Sequence, residues 1–120
     1  MATKMMMAPT RSLEQRRDAL LQANAIRSER AGFKRDLRAA GAEEARWIAG
    51  RLLEAPPWWA ESWVVWDLLL GLPKFGRVKV SKLLHRIGIS QRRRVGGLSA
   101  RQRRELQEAL VGPLRQDMPA

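Results

Sequence analysis

No proline stands between Pro9 and Pro56, so residues 10–55 contain nothing with a fixed φ or a missing backbone N–H to stop a helix. Ser12 followed by Gln15 has the spacing of a capping box, and Gly41 supplies a C-terminal stop. The pattern predicts one long helix over Ser12–Ala40 and a shorter one over Ala42–Leu53, closed by the Pro56-Pro57 pair. At 120 residues the chain is about one domain long, with room for a modest core and none for separate catalytic and binding units. The expected layout is a disordered leader at 1–11, a single helical domain at 12–111 and a flexible tail at 112–120.

Placed at about 100° per residue, Ala19, Ile26, Phe33 and Leu37 share one stripe of the first helix. Glu14, Asp18, Glu29 and Asp36 lie along one side of it. Arg16, Arg27, Arg30, Lys34 and Arg38 lie along the other, with Arg17 and Arg35 widening the basic arc. Acids and bases kept on opposite edges neutralise each other poorly at i,i+4 spacing, so Arg27, Arg30 and Lys34 read as an anion-binding edge rather than a solvated face.

The segment Trp58–Leu70 is hydrophobic on nearly every side, with Trp59, Trp63 and Trp66 at i, i+4, i+7. That predicts a central helix surrounded by others. Tryptophans in such density can form a base-stacking platform, but these lie among Val and Leu in the least charged part of the chain, which favours packing.

Charge points to the partner. There are 23 Lys and Arg against 12 Asp and Glu, a net charge of +11, more than solubility asks of a small domain. Residues 1–72 hold 11 basic and 9 acidic side chains, whereas residues 73–120 hold 12 and 3. A polyanion-binding surface is therefore expected mostly in the second half. The longest apolar stretch, Trp63 to Leu72, contains Asp67 and is about half the length of a bilayer span. The N-terminus has no continuous apolar run or small-residue cleavage site, so a cytoplasmic location without membrane association is expected. No cysteine and a single histidine, His85, exclude disulfides, thiolate or two-histidine metal sites, and Cys or multi-His catalysis. No catalytic residue, metal or cofactor is expected.

In the basic half, Gly71 and Pro73 end one helix, Gly76 permits a turn, and a new helix runs from Arg77 to Gly88. Val80, Leu83, Leu84 and Ile87 face the core on this helix, while Lys79, Lys82 and Arg86 face outward. A helix N-terminus offers unpaired N–H groups, so with Lys74 and Arg77 beside it the turn is suited to holding a phosphate. Arg92, Arg93 and Arg94 then precede Val95-Gly96-Gly97, where arginines beside flexible glycines suit a minor groove. Ser99 and Gln102 form a second capping box, opening a helix to about Leu110 that carries Arg101, Arg103 and Arg104.

These blocks resemble the actinobacterial (mycobacterial-type) integration host factor family from about Ser12 to Leu110. Leu72-Pro73-Lys74-Phe75-Gly76-Arg77-Val78-Lys79 is similar to that family's Leu-Pro-x-Val-Gly-Lys-Val-(Lys/Arg) turn. Arg93-Arg94-Val95-x-Gly97-Leu98 is similar to its Arg-Arg-(Leu/Val)-Arg-Gly-Leu segment, with Gly96 standing where the family carries a third arginine. The resemblance implies an all-α fold: a long N-terminal helix packed on a compact helical body containing a helix–two-turns–helix motif. It also implies a monomeric nucleoid-associated protein that binds duplex DNA with low sequence specificity, bends or compacts it, and assists a phage-type integrase. The same motif serves structured RNA, and a recombinase accessory that never touches DNA is a third reading. A repair enzyme sharing the turn needs a Lys nucleophile or an Asp set against its base, and residues 73–104 contain no carboxylate.

Overall fold

The computed structural model describes residues 12–115, with side chains through Gly112. The expected leader at 1–11 and the end of the expected tail, 116–120, lie outside the described residues. Every regular element is helical, and no β-strand forms among the described residues. The predicted all-α fold is borne out.

The first helix, α1 (Leu13–Ala39), opens on the predicted capping box: Gln15 N donates to Ser12 Oγ at 3.1 Å, and Ser12 N donates to Gln15 Oε1 at 2.9 Å. Only its C-terminal part meets the body. Leu37 is buried and Phe33 half-buried, whereas Leu13, Leu20 and Leu21 stay exposed. The second helix, α2 (Ala42–Glu54), packs along the last, α5 (Ala100–Arg115), in the most extensive helix pair of the fold. Between them in sequence, α3 (Val65–Leu70) packs on α4 (Arg77–Ile87). Trp63, Leu53, Leu68, Leu84, Leu106 and Leu110 are buried where these elements meet. Burying a side chain of this size contributes roughly 1.5–3 kcal/mol, so the body, not the projecting part of α1, supplies the stability.

Trp58–Leu70 is not the continuous central helix that its hydrophobicity predicts. It divides into a single 3-10 turn, Trp58–Ala60, a turn and bend over 61–63, the bridge residue Val64, and α3. The reason is non-local. Val65 N donates to Arg93 O at 2.9 Å, Val95 N to Trp63 O at 2.8 Å and Gly96 N to Glu61 O at 2.8 Å, and Val64 forms an antiparallel bridge with Arg94. Carbonyls and N–H groups that a helix would use internally are spent on the later segment. The tryptophans still pack: Trp59 and Trp63 lie 5.7 and 5.9 Å from the Phe33 ring, fastening α1 to the body. Trp58 is exposed.

Local signals fix the remaining ends. Gly88 sits at φ 85°, and Ile89 N and Gly88 N return to Leu84 O and His85 O, the bond pair of a Schellman stop. Ser99 and Gln102 form the second predicted box, and Gln102 Nε2 also donates to Gly88 O, tying the end of α4 to the start of α5. That last helix continues to Arg115, past the predicted end at Leu110. Among the described residues, no helix is long and apolar enough to cross a membrane.

Candidate nucleic-acid interface

Two tight turns join α3 to α4. Gly71 N and Leu72 N donate to Leu68 O and Leu69 O, then Phe75 N donates to Leu72 O at 3.1 Å. Pro73 and Lys74 are the central residues of the second turn, and Lys74 has φ 66°. Proline at the first central position with positive φ at the second is the type II pattern, which favours Gly or Asn where Lys74 stands. The strained residue is therefore Lys74, whereas Gly76 has an ordinary extended backbone. No side chain caps α4 at Gly76, and a Cβ there would meet nothing within 4 Å. The first-turn N–H groups of α4 thus open to solvent between exposed Lys74 and exposed Arg77, an arrangement that attracts an anionic oxygen.

The arginine segment follows α4. It is held rather than flexible: Arg93 N donates to Ser90 O, Arg92 N to Ser90 Oγ, and the backbone of 93–96 is bonded to Glu61–Val65. A Cβ on Gly96 would fall 2.3 Å from Glu61 Oε2 and 3.0 Å from Glu61 O. A side chain at this position would have to displace the Glu61 carboxylate and would crowd the Glu61 carbonyl. Arg92 and Arg94 have exposed side chains without a hydrogen bond or ion pair among the described residues, and Arg93 Nη1 donates to Gly97 O at 3.2 Å. Gln91 Nε2 reaches Ser81 Oγ at 3.4 Å, which sets the segment against the Arg77–Ser81 side of α4.

The other predicted binding residues divide into two groups. Lys79, Lys82, Arg86 and Arg104 are exposed, with no ion pair among the described residues; Lys79 Nζ rests 4.5 Å over the Phe75 ring. Arg103, Arg101, Arg30 and Lys34 are engaged by the fold. Half-buried Arg103 donates to Leu53 O at 2.7 Å and Val95 O at 3.0 Å, clipping α2 to the arginine segment. Arg101 donates to Ile87 O at 3.1 Å and pairs with Glu105. Arg30 donates to Trp59 O and Ser62 Oγ and lies over the Trp63 ring, while Lys34 Nζ stands 3.0 Å from Asp67 Oδ2. Arg27 is exposed and among the described residues bonds Asn24 on its own helix.

Electrostatics follow this division. Burial pushes the Asp67 carboxyl up, but hydrogen bonds from Trp63 and Lys34, with the charges of Lys34 and Arg30, outweigh it and hold the group below its usual value. Burial lowers Arg30, Asp67 opposes that, and Arg94 lowers it further. Arg94 is thus close enough for α1 to feel the arginine segment.

Sequence reasoning misses Arg46. It lines a hollow of about 340 Å³ with Phe75, Lys79, Lys82, Leu83, Arg86 and Ala109, and its buried Nε has no hydrogen-bond partner among the described residues. No local pattern marks it, because its neighbours in space come from α4 and α5.

The S13-like H2TH domain family matches residues 62–110, the span holding both turns, α4, the arginine segment and the first part of α5. A solved structure of sIHF bound to an 8-base-pair palindromic DNA is similar at 31% sequence identity with a TM-score of 0.55, over 73% of this chain and 96% of that one. No curated protein matches the chain.

Proposed function

The chain belongs to the family of sIHF, and from that premise we propose that it is an architectural protein of the actinobacterial integration host factor type. It binds duplex DNA through the phosphates with little sequence preference, bends or compacts it, and assists a phage-type recombinase. The observation that carries this reading is the uncapped N-terminus of α4 between exposed Lys74 and Arg77, followed by exposed Arg92 and Arg94 with no hydrogen bond or ion pair among the described residues, in a stretch without a carboxylate from 73 to 104. Helix N–H groups and guanidinium groups position phosphates without reading bases. The basic groups come from a turn, a helix N-terminus and a separate arginine segment, so they follow a backbone rather than one run of base edges.

Fluorescence anisotropy with unrelated duplexes across a salt series tests the reading. With roughly five phosphates neutralised, log K falls against log salt with a slope of about −5 and similar affinity for every duplex. Tighter binding to duplex RNA of equal length would move the partner to RNA. No binding to either acid would leave a protein accessory.

A further inference from the structure

Most serine hydroxyls of the described residues are spent on the fold. Ser12 and Ser99 cap helices, Ser62 Oγ accepts from Arg30, and Ser81 Oγ accepts from Gln91. Ser28 lies within α1. Ser90 differs from all of these. Its side chain is exposed in the irregular stretch between the Gly88 stop of α4 and the Val95–Gly97 turn. Ser90 Oγ accepts from the backbone N–H of Arg92 at 3.1 Å, and among the described residues it donates to nothing.

The surroundings of that hydroxyl carry one sign of charge. Ser90, Arg92, Arg93, Arg94 and Gly97 line a hollow of about 360 Å³. Each guanidinium offers about five N–H donors, and among the described residues the one side-chain bond these three arginines make is Arg93 to Gly97 O. The Glu61 carboxylate lies against Gly96 but forms no ion pair with them. The hollow is therefore rich in unspent donors and lacks a negative partner. Ile89 and Val95 are buried on either side of the segment, so an anion can enter here without the backbone giving way.

Resting on the reading that the chain binds duplex DNA through the arginine segment, we propose that Ser90 is a phosphorylation site and that its phosphoryl group fills the arginine hollow and releases the DNA. In the transfer, Ser90 Oγ bonds to the γ-phosphorus of a nucleoside triphosphate held by a serine kinase, and the P–O bond to the β–γ bridging oxygen breaks. A base on the kinase takes the hydroxyl proton, and the nucleoside diphosphate leaves. The product carries a charge of about −1.5 to −2 and three strong acceptor oxygens. Those oxygens start beside the Arg92 N–H that Oγ already accepts from, among guanidinium groups that form short, charge-assisted bonds with phosphate. Because the phosphoryl group is tethered within the same turn as the arginines, it competes with a DNA phosphate at an effective concentration of about millimolar or above. The charge left over repels the duplex. Hydrolysis of the phosphate ester by water restores the hydroxyl, so the switch is reversible.

Phosphoserine installed at position 90 of the full chain during translation tests the switch apart from any kinase. Anisotropy with a duplex is expected to show affinity about 30-fold below that of the unmodified protein, as if two exposed phosphate contacts were gone, and a salt slope shallower by about 2. Phosphorus NMR supplies a readout that simple repulsion does not move: the second ionisation of the phosphoserine, ordinarily near about 6, is expected to fall below that value and to return to it when Arg92→Ala/Arg94→Ala is added. Incubation with radiolabelled nucleoside triphosphate in an extract of the native cells is expected to label the wild type at Ser90 and to leave that position of Ser90→Ala unlabelled. Affinity equal to that of the unmodified protein, an ionisation at its ordinary value, or labelling that spares Ser90 overturns the proposal. If the unmodified chain binds no duplex, the DNA reading fails first, and the titration shows separately whether the arginines take the phosphoryl group.

Discussion

Arg30 and Lys34 on α1 and Lys79 and Lys82 on α4 are paired cations one helical turn apart, and in isolation the two helices present similar basic edges. On α1 the donors are consumed internally: Arg30 holds the Trp59 carbonyl and the Ser62 hydroxyl, and Lys34 holds Asp67. On α4 the neighbours are Phe75 and other cations, and among the described residues no carboxylate pairs with Lys79 or Lys82. A basic side chain adds to a polyanion surface in proportion to the donors its own fold leaves unspent. The net charge of +11 therefore overstates the α1 edge and describes the α4 region well.

The largest effect that separates the two regions is expected in the arginine segment. Arg92→Ala/Arg93→Ala/Arg94→Ala should lower DNA affinity by about 100-fold, taking about 1 kcal/mol for each exposed charged contact, and should make the salt slope shallower by about 3. Among the described residues the side-chain bond it removes is Arg93 to Gly97 O, so thermal stability should hold. Calorimetry and anisotropy on the same preparation check both halves. A collapse of the melting temperature with affinity intact would put this segment in the class of α1.

The complementary substitution is Arg30→Ala/Lys34→Ala. It removes two hydrogen bonds, two cation–π contacts with Trp63 and a part-exposed, hydrogen-bonded ion pair, in sum about 2 kcal/mol of stability once solvent screening is allowed for. Affinity of the folded fraction should change by less than the arginine-segment variant changes it. Urea midpoints measure the first effect. An unchanged midpoint together with a large loss of affinity would show that these cations serve DNA and not the fold.

What was legible in the sequence was local. Ser12 with Gln15, Ser99 with Gln102, and Gly88 after Ile87 each declare a helix end through residues a turn apart, and each forms its bonds as spaced. The Trp58–Leu70 segment misled because its helix is broken by pairing with Arg93–Gly96, some thirty residues later, which no period within the segment encodes. Arg30 finds its acceptors 29 and 32 residues away, so wheel geometry sees a free basic edge where the fold makes a staple. Arg46 fails for the opposite reason: it lies beside the apolar face of α2, and only the packing of α4 and α5 gives it cationic company.

Lys74 sharpens the comparison at one position, because here fold and surface pull in opposite directions. Its φ of 66° costs an L-residue about 1–2 kcal/mol, and its side chain is exposed with no partner among the described residues to offset that. Lys74→Gly removes the strain, while the extra freedom of glycine in the unfolded chain returns about 0.5–1 kcal/mol. Stability should rise by up to about 1 kcal/mol, the reverse of what α1 shows on losing a cation. The same substitution removes one phosphate contact beside the α4 N-terminus, so affinity should fall about fivefold and the salt slope by about 1. Lys74→Ala separates the two terms: it loses the charge but keeps the strained φ, so affinity falls equally and stability does not rise. If glycine destabilises the protein, the turn does not store strain at this residue. If both variants bind DNA as the wild type does, the turn stands outside the interface, and the arginine segment with Arg77 holds the duplex without it.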